Sequence, residues 1–235
     1  MADEERRRLV RPPTRGQEGG RAAPARLKTA KKHTPSSQAW LERQVNDPYA
    51  AEARAKGYRS RAAFKLIEMD DRHRFIRRGA RVVDLGCAPG GWVQVALERG
   101  AGAVVGIDLL PVDPIPGAEL LRMDFTDPEA PRRLIEALGG PPDLVLSDMA
   151  PNTVGHRHTD HLRIMALIEA AAEFAIGSLK PGGSFVTKTF QGGESAEVMG
   201  RLKSAFTQVK HAKPNASRAD SSEVYWVATG LRQSR

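Results

Sequence analysis

Five charged residues in this chain each follow an apolar run directly: Asp84, Asp108, Asp124, Asp148 and Lys188. An apolar strand needs no charge at its end in order to fold, so the set reads as a polar rim around one crevice. Gly86-Cys87-Ala88-Pro89-Gly90-Gly91 follows Asp84, and its glycines carry no Cβ to keep a small ligand from the backbone. Asp108 lies 22 residues after Gly86, where a carboxylate can accept hydrogen bonds from a ribose diol. Both features suit an adenosine-containing ligand. The dinucleotide fingerprint G-x-G-x-x-G falls on Gly86, Ala88 and Gly91 with Pro89 between them, a poor match that disfavours NAD. The spacing acid-x-G-x-x-x-G is met by Asp84, Gly86 and Gly90, and suits S-adenosyl-L-methionine, which has no pyrophosphate to cradle.

Lys188 and Asp148 are opposite charges at the ends of adjacent strands and can meet over such a ligand. Lys188 sits inside Phe185-Val186-Thr187-Lys188-Thr189-Phe190, where burial would push an ammonium towards its neutral form. A further cationic cluster, Arg59, Arg61 and Lys65, stands at a helix start with Ser60 as the expected N-cap. Phe64, Ile67 and Met69 would face inward there and leave Lys65 on another side.

The elements that must position these groups alternate regularly from residue 81. Strands are expected at 82–85, 103–107, 120–123, 143–147 and 184–187, and helices at 92–99, 127–138, 160–179 and 193–205. This predicts a mostly parallel sheet with helices on both faces. Strands at 206–210 and 224–228 are joined by a short polar loop, which predicts a terminal antiparallel hairpin at one edge. Before the sheet, Asp47-Pro48 reads as N-cap and first residue of a helix that stops at Gly57.

Composition bounds the alternatives. The 235 residues, 40% of them hydrophobic, suffice for one α/β domain. The single cysteine, Cys87, excludes an internal disulfide and a Cys-rich zinc site, and suits the cytoplasm. No apolar run approaches the ~20 residues of a membrane span, and no apolar leader is expected at the N-terminus. Residues 1–78 carry 20 Lys/Arg against 10 Asp/Glu, and residues 79–235 carry 16 against 18. The basic excess therefore precedes the glycine loop, as a solubilising tail or an electrostatic footprint for nucleic acid. Residues 1–35 read as a disordered basic extension and 36–235 as the folded domain. His156, His158 and His161 are not expected to hold a metal, because Arg157 interleaves and no closed ligand set accompanies them. They read as part of a mobile loop over the crevice. Trp40, Trp92 and Trp226 read as core residues.

Six motifs, in order, carry a resemblance. They are Ser60-Arg61-Ala62-Ala63-Phe64-Lys65-Leu66, the stretch Asp84 to Trp92, Asp108-Leu109-Leu110-Pro111, Ser147-Asp148-Met149-Ala150-Pro151-Asn152, Lys188-Thr189-Phe190-Gln191-Gly192, and Ser217 to Tyr225. Over residues 36–230 the chain resembles the FtsJ/RrmJ (RlmE) family of ribosomal RNA large-subunit 2′-O-ribose methyltransferases. The resemblance implies a Rossmann-like class I methyltransferase fold with a seven-stranded sheet. It implies S-adenosyl-L-methionine as cofactor and a uridine of 23S rRNA in the 50S subunit as substrate, with no DNA, metal or membrane involved, and a monomer. A relative acting on tRNA or another RNA, and a non-catalytic RNA-binding assembly factor, are the alternatives. Motif matching puts a catalytic tetrad on Lys65, Asp148, Lys188 and Glu223, and cofactor contacts on Gly90, Trp92, Asp108, Asp124 and Asp148. That Lys65 and Glu223 meet is implied by the resemblance and not by spacing. Cys87 stands where the family is expected to have Ala and should only pack. RNA contact is expected at Arg54, Lys56, Arg59 and Arg61, with the extension 1–35 lying outside the resemblance.

Overall fold

The computed structural model describes residues 10–11, 26–27, 47–150, 157–191, 195–218 and 221–233. The chain divides into two units, residues 1–57 and 58–235. In the first unit, β1 (Val10–Arg11) and β2 (Arg26–Leu27) pair antiparallel inside the segment expected to be disordered, the rest of which lies outside the described residues. Helix α1 (Pro48–Ala55) follows, capped as expected by the Asp47 carboxylate, which accepts from the Tyr49 and Ala50 N–H groups.

The second unit holds one seven-stranded sheet. Its strands are β3 (Arg81–Leu85), β4 (Ala103–Asp108), β5 (Ala118–Arg122), β6 (Leu144–Ser147), β7 (Ser184–Phe190), β8 (Phe206–Ala212) and β9 (Glu223–Leu231), in the order β5-β4-β3-β6-β7-β9-β8. The pairs from β5 to β7 are parallel, and β9 lies antiparallel between β7 and β8. This is the Rossmann-like class I methyltransferase arrangement, with the expected hairpin at one edge.

Period-two patterning builds the two cores. Val82, Val104, Leu144, Val186 and Val227 face α2 (Ala62–His73) and α3 (Gly91–Glu98). Val83, Val105, Val145, Phe185 and Ala228 face α4 (Ala130–Leu138), α5 (Arg157–Ser178) and α6 (Ala196–Ala205). The chain runs from β3 outward to β5, then returns to place β6 on the other flank of β3. That reversal makes the crevice at the carboxyl ends of β3 and β6 the place where such sheets bind ligands.

Several boundaries differ from expectation for local reasons. Helix α2 is capped at Arg61 without a side-chain bond: the Ala63 and Phe64 N–H groups donate to the backbone carbonyls of Ser60 and Arg61, and the Ser60 hydroxyl lies against Gly91. Helix α4 begins at Ala130, since Asp127 instead closes a turn by accepting from the Glu129 N–H. Helix α6 starts after Ser195, whose hydroxyl accepts from the Val198 N–H. Strand β7 does not end at Lys188. It runs on to Phe190, because β9 continues the ladder beside it with Lys188 opposite Tyr225 and Phe190 opposite Glu223.

Candidate active site

The ladder between β7 and β9 decides the site. Cross-strand neighbours lie about 5 Å apart, so Lys188 and Tyr225 are held together by backbone pairing. Residues two apart on a strand share a face, which brings Glu223 alongside Tyr225. Helix α2 brings Lys65 to the same place.

An unbroken run of polar contacts results. Lys65 Nζ donates to Glu223 Oε2 at 2.8 Å and to the Tyr225 hydroxyl at 3.2 Å. Tyr225 donates to Asp148 Oδ1 at 3.0 Å. Lys188 Nζ lies 3.2 Å from that same Oδ1 and donates to the Asp148 backbone carbonyl at 2.7 Å. All four expected tetrad residues thus converge, and Lys65 is buried where the helix pattern had set it on a different side. Tyr225 is the member that sequence reasoning missed. Its signal was present: it stands two residues after Glu223 in a strand, hence on the same face.

The electrostatics keep the run polarised. Burial holds the Tyr225 phenol well above its ordinary pKa, reinforced by the charges of Asp148 and Glu223 and by its bond to Asp148. It therefore stays a protonated donor. Burial alone would raise the Glu223 carboxyl, but the Lys65 ammonium, by charge and hydrogen bond, and then Lys188, bring it below the ordinary glutamate value. Glu223 is accordingly the anionic anchor of Lys65.

The glycine loop forms the adjoining cradle. A Cβ on Gly86 would lie 2.8 Å from Met149 Cγ, and one on Gly90 would lie 2.6 Å from Ile115 Cδ1. Both glycines also have positive φ, so no other residue fits. Asp108 accepts from the Ala88 N–H at 2.9 Å and the Leu110 N–H at 2.8 Å, which leaves carboxylate lone pairs over for a diol. Asp124 is exposed, and bonds from the Thr126 hydroxyl and N–H hold its carboxyl below the usual range. Trp92 is core: its indole is buried, donates to the Ala62 carbonyl at 2.8 Å and packs on Tyr225, so only its backbone is available to a cofactor. Cys87 packs as expected against Gly106, its thiol pushed up by burial and by Asp84 and Asp108.

Asp84 supplies the test of fit for a cationic cofactor. It is fully enclosed, and neither carboxyl oxygen has a hydrogen-bond partner among the described residues. Burial, then the charges of Asp148 and Asp108, raise it well above the ordinary aspartate value. An unpartnered buried carboxyl with Asp148 and Asp108 near it, beneath a loop whose Gly86 and Gly90 have no room for a Cβ, fits an adenosine ligand that carries a cationic sulfonium.

The four cations expected to meet RNA have different surroundings. Arg54 and Lys56 belong to the first unit, where Lys56 pairs with Glu52 at 2.8 Å. Arg59 is turned inward, donating to the carbonyls of Pro89 at 3.2 Å, Asp113 at 2.6 Å and Pro114 at 2.8 Å. Arg61 donates to the Ala216 carbonyl. Arg59 therefore straps the glycine loop to the loop after β4. Arg59→Lys keeps the charge but cannot span three acceptors. With charged hydrogen bonds worth about 1.5–3 kcal/mol each, it is expected to weaken S-adenosylmethionine binding by roughly tenfold. Titration calorimetry checks this, and unchanged cofactor affinity with a shallower salt dependence of RNA binding would return Arg59 to the RNA. His161 is exposed, while the side chains of His156 and His158, the expected loop over the crevice and Trp40 lie outside the described residues.

A parallel sheet with an acid-rimmed glycine cradle and a lysine–carboxylate run beside it defines a Rossmann-like methyltransferase. The chain belongs to the FtsJ-like methyltransferases, whose family model matches residues 58–231. It is 66% identical over 224 residues to the ribosomal RNA large subunit methyltransferase E of Caulobacter sp. (strain K31), covering 95% of this chain and 99% of that one. The protein of the same name from Acidiphilium cryptum (strain JF-5) is 63% identical over 90% of this chain and 94% of its own. A crystal structure from Plasmodium falciparum, of a protein assigned as a ribosomal RNA methyltransferase, superposes with a TM-score of 0.67 at 30% identity, covering 75% of this chain and all of that one.

Proposed function

We propose that this protein transfers a methyl group from S-adenosyl-L-methionine to the 2′-oxygen of a uridine ribose in the 23S rRNA of the large ribosomal subunit. The observation that carries this reading is the run Glu223–Lys65–Tyr225–Asp148–Lys188 beside the acid-rimmed cradle. Membership of the FtsJ-like family, with relatives named for large-subunit rRNA, supports the substrate.

Bound in the cradle, S-adenosylmethionine would supply an electrophilic sulfonium methyl. Asp108 and Asp124 would hold its ribose and adenine side, the Gly90 and Trp92 backbone its middle, and Asp148 the amino-acid end. The chain's own task is alignment and proton removal, because a 2′-hydroxyl is a poor nucleophile at neutral pH. Asp148 fixes Lys188 through both its carboxylate and its carbonyl. Tyr225 ties that carboxylate to Lys65, and Glu223 anchors Lys65. Lys188 directs the hydroxyl in line, as an ammonium by orienting its oxygen or as the neutral amine by also taking its proton. Arg54, Lys56 and the basic segment 1–35 contact phosphates, giving affinity without reading sequence. The protein acts as a cytoplasmic monomer, where its ribosomal substrate is.

Incubation with labelled S-adenosylmethionine and unmethylated 50S particles, free 23S rRNA or tRNA, followed by mapping of the modified nucleotide, tests the reading. A single 2′-O-methyluridine in 23S rRNA is expected. Label on tRNA alone moves the substrate. A protein that binds RNA but transfers no label is an assembly factor, which overturns the enzymatic reading.

A further inference from the structure

Helix α2 carries more than Lys65. Its three acids, Glu68, Asp70 and Asp71, are all compensated from within. Glu68 accepts from the Asn215 and Ala216 N–H groups at 2.6 and 3.0 Å. Arg99 pairs with Asp70 at 3.2 Å and with Asp71 at 2.7 Å. The cations at the helix's far end have no such partners. Arg72, Arg74 and Arg77 are exposed and make no ion pair among the described residues, and neither does Lys210 on the edge strand β8.

Arg72, Arg74 and Arg77 follow closely on one another at the end of α2 and in the turn after it. Lys210 stands opposite Val227 on β9, and Val227 packs in the same cluster as Met69 of α2, so Lys210 lies on the sheet face that α2 covers; burial, then Lys210 and Arg72, hold the half-buried His73 imidazole below its ordinary pKa. Arg74 caps α2 in the left-handed conformation, at φ 55° and ψ 46°, and is the non-glycine residue with positive φ among those described. Glycine is favoured at that position, so an arginine there accepts backbone strain.

The surface is continuous with the active site. Lys65 and Arg72 are seven residues apart, so they lie on one strip of α2 with about 10 Å of rise between them. The helix follows the β8–β9 hairpin along this length, with Lys65 on Glu223, Glu68 on the hairpin loop, and Met69 in the cluster of Val227, the residue opposite Lys210. Arginine forks match phosphate oxygens, and three of the four cations are arginines. A membrane is a poor fit, since the exposed large apolar side chains among the described residues, Leu109, Leu110 and Leu162, fall elsewhere.

We propose that Arg72, Arg74, Arg77 and Lys210 form a second phosphate-binding surface, which holds the rRNA backbone flanking the target nucleotide about two helical turns from Lys65. This rests on the rRNA substrate proposed above. Binding there is sequence-independent and adds to affinity, not to the chemical step.

The test is the variant Arg72→Gln/Arg74→Gly/Arg77→Gln/Lys210→Gln, with wild type alongside, binding unmethylated 23S rRNA over a salt series. Each lost phosphate contact removes about 0.7–0.9 from the slope of log affinity against log salt, so the slope should become shallower by roughly 3. KM for RNA should rise, with kcat at saturating RNA and cofactor affinity kept. Arg74→Gly alone should keep or raise the melting temperature, which separates charge loss from unfolding. An unchanged slope and KM would overturn the surface. So would unchanged RNA binding together with lost binding to vesicles of equal phosphatidylcholine and phosphatidylserine. If wild type neither binds nor methylates this RNA, the substrate reading falls too; if wild type binds and the variant matches it, the surface alone falls.

Discussion

Lys188→Ala is expected to lower methyl transfer by about 10²–10⁴-fold, the usual contribution of one positioned acid–base group, with S-adenosylmethionine affinity unchanged. The separation follows from placement. Lys188 reaches from β7 onto the carboxylate and carbonyl of Asp148, while the cradle is built from the β3 and β4 ends, the strap of Arg59 and Asp148 itself, which stays in place and keeps its bond from Tyr225. Cutting the ammonium back to a methyl removes the group that aligns the hydroxyl and leaves the cradle intact. Single-turnover rates and calorimetric cofactor binding measured on the same preparation check it. Turnover near that of wild type would overturn the role given to Lys188. The pH profile of the wild-type rate adds a separate reading. If a neutral amine must accept the proton, the rate climbs with pH. If the lysine only orients the hydroxyl, the rate is flat.

Asp148→Ala should damage binding and rate together, which distinguishes it from Lys188→Ala. The Asp148 carboxylate accepts from Tyr225 and pairs with Lys188, a residue only 6% exposed. Removing one partner of a buried pair costs about 3–5 kcal/mol, because the remaining charge is left uncompensated. Here the lower end applies, since Lys188 keeps its bond to the residue 148 carbonyl. Denaturant titration should show that loss, alongside weaker cofactor binding and slower transfer. A variant that binds cofactor as wild type does, and loses only rate, would confine Asp148 to the chemical step.

Much of this arrangement was legible in the chain. The βα alternation, the strand-end acids and the glycine loop all depend on short-range rules, namely period-two burial, absent Cβ atoms and turn residues, which act within a few positions. Burial of Lys188 was legible for the same reason, from its apolar and β-branched neighbours. Helix caps were less so. Ser60 is a good N-cap by type, yet the helix is capped one residue later and the Ser60 hydroxyl lies against Gly91, thirty-one positions away. The internal partners of Arg59 and Arg61 were hidden for the same reason. Nothing near them in sequence announces the carbonyls of Pro89, Asp113, Pro114 and Ala216 that draw them inward.

By itself, then, the sequence determined the sheet, the class of ligand its loop admits and the residue types at the strand ends. Only the tertiary structure decided the join between Lys65 and Glu223, 158 positions apart, and the insertion of Tyr225 between them and Asp148. The physical reason is register. β9 enters antiparallel between β7 and β8, and that pairing sets which side chain faces Lys188. A one-residue slip would turn Glu223 and Tyr225 to the opposite face, and the choice rests on long-range packing of both sheet faces, which no local pattern encodes.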